Sequence, residues 1–505
     1  MTISHRPQIS YIHRRQSLSR RKRASLLGLK DGSSVDSSCA GKLFGNGGTI
    51  FTAFPFELRA EVFKQYCGMY CDIGQVTEGP ALLLRICRAW TELAIQVPEL
   101  WSSFVLQWHI RGRPPPGPKK TRFLISALHA WIVRSRNLPL SFKFGYEVPL
   151  DSTCTALMQC ILPSFPRWRD VTLKAPTEGL LPLWEGKPSR TTCLRTFTME
   201  TFGHSPVDLK DLRINWTQVT ELDLFIIPIP TLDECLHILK DAVNLRRCSM
   251  NALCLLSSDE LEPLSLPRLE YLRLRMYKPA TSDSFAAPLL AFLHSLSLPG
   301  LQSLVIDWNL IQAPQWSNAS SDRFVEFLEQ LDGHLETLHL GLLPLDARQI
   351  LRCLRATPSL RSLGLVLPTS EHDFIDFLDA LTLHTGSNPG LLPILQSIQL
   401  KTDSEVFSNA ALLRFIASRW KYQESPAVAG ELESMDFVAP RRGAKYRAHR
   451  FEDEKVGRLQ VAARLRLEFT MVQVLACFLE KDSYKQICFL NGDFPPDIRS
   501  LLVFG

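Results

Sequence analysis

The chain has 505 residues, of which 45% are hydrophobic and 21% charged, with a formal net charge of +6. This length exceeds one ordinary core and implies two or three domains or one long repetitive body. No apolar run reaches the 18 or so residues of a membrane span and the first thirty residues hold no signal-peptide core, so a membrane protein is not expected and the compartment is expected to be the cytoplasm and/or nucleus.

The charge is uneven along the chain. Residues 1–30 carry eight Lys/Arg and no acid, leaving 49 basic against 51 acidic residues in the remainder. A near-neutral body is not built as a polyanion surface, so nucleic acid is not an expected partner. Residues 1–50, rich in Ser, Arg and Gly, lack the apolar content to offset their ordering entropy and are expected to form a disordered basic tail. The run Arg20–Arg23 suits a nuclear-import signal. The acid-poor, Arg/Ser-rich composition also suits a mitochondrial presequence apart from Pro7, and a plain solvated tail accounts for it as well.

From Phe54 to Trp101 the pattern is helical and strongly apolar. Pro55 fits the first turn of a helix, and Leu58, Val62, Phe63 and Tyr66 follow at helical spacing. Cys67–Gly79, with three glycines, reads as a loop. A second helical stretch is expected from near Pro80, carrying Leu83, Leu84, Ile86, Cys87, Trp90, Leu93 and Ala94, until Pro98 stops it. Arg111–Lys120, with four prolines, reads as a stiff linker.

The remainder repeats. The template L-x-x-L-x-L or a close apolar variant occurs ten times, starting at Trp168, Leu194, Val219, Leu245, Leu269, Leu301, Leu335, Leu360, Leu395 and Leu432. Starts lie 24 to 37 residues apart, the period of strand-plus-helix units that bury their apolar faces on one another. Between the strands lie amphipathic helices: Phe324, Phe327, Leu328 and Leu331 follow Ser320 and Asp322 as expected caps, and Phe374, Phe377, Leu378 and Leu381 repeat the spacing. The expected fold is α/β: a short three-helix segment, then an irregular solenoid with a parallel concave sheet and helices outside. Residues 441–505 are expected to form a charged loop and C-terminal cap.

Specific residues carry a family resemblance. Phe54-Pro55-Phe56-Glu57-Leu58 with Val62-Phe63 resembles the opening of an F-box. Leu84-Arg85-Ile86-Cys87-Arg88-Ala89-Trp90-Thr91-Glu92-Leu93-Ala94 resembles its second half. Val97-Pro98-Glu99-Leu100-Trp101-Ser102-Ser103, and Ala130–Ser135 with Leu138–Ser141, resemble segments of F-box-like proteins of mushroom-forming fungi with leucine-rich, ribonuclease-inhibitor-like repeats. The resemblance departs from the pattern at Phe54, where leucine is usual, and in the long loop Cys67–Gly79. It implies an F-box over 51–104 and a linker plus leucine-rich-repeat solenoid over 105–440. It also implies docking on a Skp-type adaptor, and through it a cullin, by Phe54, Pro55, Leu58, Val62, Phe63, Leu84, Ile86, Cys87, Trp90 and Leu93. Trp101 is read instead as packing the F-box onto the first repeat.

Such a chain recruits a protein target to a ubiquitin ligase and contributes proximity, with no catalysis of its own. The residues agree: glycines 41–48 lack phosphate-loop spacing, the 12 histidines are dispersed, and no nucleophile-elbow motif occurs. The 13 cysteines include no C-x-x-C pair, and Cys160, Cys235, Cys353 and Cys477 sit in apolar runs as expected buried thiols. No metal or cofactor is expected. Target binding is expected on side chains that alternate with the leucines: Tyr271, Arg273 and Arg275 on one strand, Asp307 and His339 on its neighbours. The plainer alternative there is that Arg273 pairs with Asp307 and serves solubility. A repeat scaffold without a ubiquitin role is the rival for the whole chain.

Overall fold

The computed structural model describes most of residues 54–402, scattered positions between 411 and 419, and the backbone of strands 434–439 and 457–462. The expected basic tail, Cys477 and the basic loop Arg441–Arg450 lie outside the described residues. The chain divides into two units, 1–65 and 66–505. The described part of the first is most of helix α1 (Phe56–Cys67) and the two residues before it.

The second unit is α/β and is built on one large parallel sheet. Its strands are β1 (Cys71–Asp72), β2 (Ser103–Trp108), β3 (Leu140–Tyr146), β4 (Trp168–Pro176), β5 (Thr196–Phe202), β6 (Glu221–Phe225), β7 (Arg247–Leu253), β9 (Tyr271–Tyr277), β11 (Ser303–Trp308), β12 (Thr337–Gly341), β13 (Ser362–Leu367), β14 (Ser397–Thr402), β15 (Ser434–Ala439) and β16 (Gly457–Ala462). They lie side by side in chain order, and all neighbours are parallel except β15 and β16, which are antiparallel. The short β8 (Leu264–Ser265) and β10 (Leu296–Ser297) pair separately.

Register follows the apolar template. Val171, Phe197, Leu222, Cys248, Leu272, Leu304, Leu338, Leu363 and Ile398 align in one row across the sheet. Two residues on, Leu173, Met199, Leu224, Met250, Leu274, Ile306, Leu340, Leu365 and Leu400 form the next. No side chain of either row is more than 3% exposed. Each leucine so buried contributes about 1.5–3 kcal/mol, which is what fixes the register. A second ladder joins the turns that enter the strands: Arg195 N–H donates to the Arg169 carbonyl, Thr220 to Arg195, Arg246 to Thr220 and Glu270 to Arg246, at 2.8–2.9 Å.

The sheet begins earlier than the leucine template. β2 and β3 carry Phe104, Leu106, Phe142 and Phe144 in register with the leucine rows, and β2 runs across the expected boundary at 104/105. Aromatic stacking holds this end together: Phe104 lies on Phe142 at 5.1 Å and Phe142 meets Trp168 edge-on at 5.1 Å. The expected loop Cys67–Gly79 also supplies β1, paired with Phe104–Val105.

Local chemistry corrects other boundaries. Pro118–Lys120, read as linker, is the first turn of a helix to Arg134, because Pro118 supplies a fixed φ where its missing N–H costs nothing. Helix Asn318–Glu329 is capped by Ser317, whose Oγ accepts from Ser320 N–H at 3.1 Å, so neither Ser320 nor Asp322 is its cap. Helices Leu232–Asp241 and Ala347–Arg355 start with capping boxes, Thr231 with Glu234 and Asp346 with Gln349. Helices Ala286–His294, Asn318–Glu329, Ala347–Arg355 and Glu371–Leu381 each pack on the next, burying Phe324, Phe327, Leu328, Phe377 and Leu378. Between β5 and β6, and between β7 and β9, no α-helix occurs among the described residues, so strand plus helix does not hold for every unit.

Candidate functional site

Two surfaces stand out, and the first belongs to helix α1. On α1, Leu58, Val62 and Tyr66 follow one another at i, i+4 and i+8 and are each more than half exposed. Phe54 and Phe56 at the helix entry are exposed as well, and so is Pro55. Ala60 and Phe63 are the buried residues of this helix. An apolar stripe left in water is the reverse of the pattern of an amphipathic surface helix.

The expected second helix is two, α2 (Gly79–Ile86) and α3 (Arg88–Gln96), separated by Cys87 in an extended conformation. The Thr91 hydroxyl donates to the carbonyls of Leu84 and Cys87 at 3.1 Å, which satisfies groups freed by the break. Gly79 has a φ of +63°, and a side chain there would meet the Cys71 sulfur at 2.6 Å, so the turn into α2 needs glycine. Ile86, Cys87 and Ile95 are exposed, Leu84 and Trp90 are half-buried, and Leu83 and Leu93 are buried.

Of the ten adaptor-facing residues expected, Phe54, Pro55, Leu58, Val62, Ile86 and Cys87 are exposed, with Leu84 and Trp90 partly so. Phe63 and Leu93 are corrected: both are buried, 1% and 4% exposed, and act in packing. Trp101 is also buried. Its indole N–H donates to the Ala94 carbonyl at 2.8 Å, its ring meets Trp131 edge-on at 4.9 Å, and the Arg134 guanidinium lies 4.6 Å from its centre. Tyr66 and Ile95 are exposed too, outside the expected set; Tyr66 continues the i+4 spacing of α1.

The second surface is the polar face of the sheet, where Tyr271, Arg273, Arg275, Asp307 and His339 do come together. Arg273 donates through Nε and Nη2 to one oxygen of Asp307, at 2.9 and 2.6 Å. In register Arg273 faces Val305, so this bond crosses diagonally to the next strand. Arg275 lies 3.6 Å from Asp223 and over the ring of Phe225, and Tyr271 sits under the Arg247 guanidinium at 4.5 Å. His339 approaches the other oxygen of Asp307 at 4.0 Å. Burial pulls the His339 pKa below its ordinary value, against an upward pull from Asp307.

Two strand glycines make room for this cluster. A side chain at Gly341 would stand 2.8 Å from the Asp307 carboxylate, and one at Gly364 would stand 2.6 Å from His339 Nδ1. Arg273 and Arg275 are matched to Asp307 and Asp223, so these two arginines fit the plainer expectation of an internally paired network better than a free recognition patch. Cys235 and Cys353 are buried and their thiols are pushed up to about 12, while Cys160 is half-buried. Among the described residues no three His, Cys, Asp or Glu side chains converge as metal ligands, and no helix is long and apolar enough to cross a membrane.

Compared with known protein families the chain matches none, and no curated protein is similar to it.

Proposed function

We propose that this chain is an F-box protein, the substrate-recruiting subunit of a Skp–cullin–F-box ubiquitin ligase, acting in the cytoplasm or nucleus without catalysis of its own. The observation that carries the reading is the exposed apolar stripe Leu58, Val62 and Tyr66 on α1, together with its F-box-like sequence. In the second unit Ile86 and Ile95, on α2 and α3, are exposed as well. Burying a leucine or valine of that kind on a partner contributes about 1.5–3 kcal/mol, enough for a few such anchors to hold an adaptor. The aligned L-x-x-L-x-L strands are then a leucine-rich-repeat solenoid, with helices outside a concave sheet, that presents the target.

The test is co-purification with a Skp-type adaptor from the native host. Wild type is expected to retain the adaptor, and Leu58→Glu with Val62→Glu is expected to lose it while circular dichroism is unchanged. Equal adaptor capture by the double variant overturns the docking claim. A second reading has an observation in its favour: β1 pairs with β2, so α2 and α3 belong to the sheet-bearing unit and could serve as its end cap in a scaffold without a ubiquitin role. Retention of other proteins with no adaptor selects that reading.

A further inference from the structure

A basic surface lies at the end where the chain enters the strands. A groove of about 590 Å³ runs there from the start of β4 across the turns before β5, β6, β7 and β9. Arg169, Arg195 and Arg268 line it together with Gln218, Thr220 and Asn244, and no carboxylate is among its lining residues. The guanidinium of Arg195 has no hydrogen-bond or ion-pair partner among the described residues, and its side chain is exposed. Asn244 Oδ1 accepts from Arg268 at 2.8 Å and its amide donates to the Thr217 carbonyl at 2.7 Å, so Arg268 is held by a neutral group and keeps its charge uncompensated. Arg169 is shared with Asp170 at 2.9 Å and Ser141 at 3.0 Å.

The groove therefore asks for carboxylates to meet Arg195 and Arg268. Beyond residue 30 the chain holds 49 basic against 51 acidic residues, a balance that does not suit a polyanion as the partner. An acidic peptide supplies spaced carboxylates on an extended backbone. Four strand spacings make the groove about 19 Å long, the reach of about six extended residues. The basic residues 1–30 of this chain have the wrong sign to occupy it.

We propose that this groove binds an acidic peptide segment of a protein partner, with Arg195 and Arg268 as its charge contacts. The biological use, target recruitment, rests on the function proposed above; the binding itself does not. It is measured on the full chain alone, so failure of adaptor capture and failure of peptide binding are separate results.

The experiment is fluorescence anisotropy with three labelled probes: octaglutamate, octalysine and an eight-residue oligodeoxythymidine. Octaglutamate is expected to bind, octalysine is not, and added salt is expected to weaken the complex. Arg195→Glu and Arg268→Glu are each expected to lower octaglutamate affinity at least tenfold, and Arg195→Lys to retain most of it. Octaglutamate binding no tighter than octalysine overturns the proposal, as does unchanged affinity in both reversals with circular dichroism intact. Tighter binding of the oligonucleotide than of octaglutamate, lost in the same variants, also overturns it and reassigns the groove to nucleic acid. Should Arg268→Glu fail to fold, the exposed Arg195→Glu decides alone.

Discussion

Helix α1 and the sheet use large apolar residues in opposite ways. In the sheet the two aligned rows from β4 to β14 are buried, at most 3% exposed, while on α1 Leu58 and Val62 are 55% and 54% exposed. Both regions show clean apolar periodicity in sequence. The period reports which residues share a face, and it does not report whether that face is filled by the same chain. In the sheet the next unit supplies the covering surface. On α1 the stripe Leu58, Val62 and Tyr66 stays exposed, and this surplus is what the proposed adaptor docking rests on.

That contrast is breakable. The largest expected effect is in the leucine rows: Leu304→Ala should lower unfolding free energy by about 2–5 kcal/mol in urea denaturation, because the site is enclosed on all sides. A loss below 1 kcal/mol would mean the row packs loosely. Leu58→Ala should change stability by about 0.5 kcal/mol or less in the same titration, since it removes a group already in water. If both substitutions cost the same, the distinction between core and interface at these two places fails.

Smaller effects sharpen the account of the polar face. Asp307→Ala leaves Arg273 half-buried without its carboxylate and is expected to cost about 1 kcal/mol after solvent screening, read from the same denaturation midpoints. Arg273→Ala alone should cost no more, and the double variant should cost less than the two together. His339 gives the smallest signal. Its folded pKa is depressed by burial, so its contribution is complete above the ordinary value near 6.5 and is lost as pH falls below that toward the folded value. Melting temperature of wild type should therefore fall from pH 7 to pH 5 more than that of His339→Gln; identical slopes would show that His339 titrates as if in water.

The strands from β4 to β14 were legible because their signal is local: a buried residue every second position, spaced by turn chemistry. β2 and β3 were not read as strands although Phe104-x-Leu106 and Phe142-x-Phe144 carry the same alternation, because phenylalanine stands where the template has leucine. Phe63 and Leu93 entered the expected adaptor-facing set through the family resemblance, and only packing shows them buried. The helical stretch expected from near Pro80 is two helices, in keeping with a three-helix segment, but the break at the extended Cys87 was not legible because no Gly or Pro announces it.

By itself the sequence determined an α/β chain of repeated strands, the order of its elements, and an apolar helical segment ahead of them, because each follows from short-range periodicity. The tertiary structure alone decided which charges remain free. Arg273 and Asp307 are 34 positions apart and pair; Arg195, Gln218 and Arg268 are spread over 74 positions and line one groove. Parallel register joins residues of successive units across a strand spacing of about 4.8 Å, and no pattern within one unit records what stands beside it in the next.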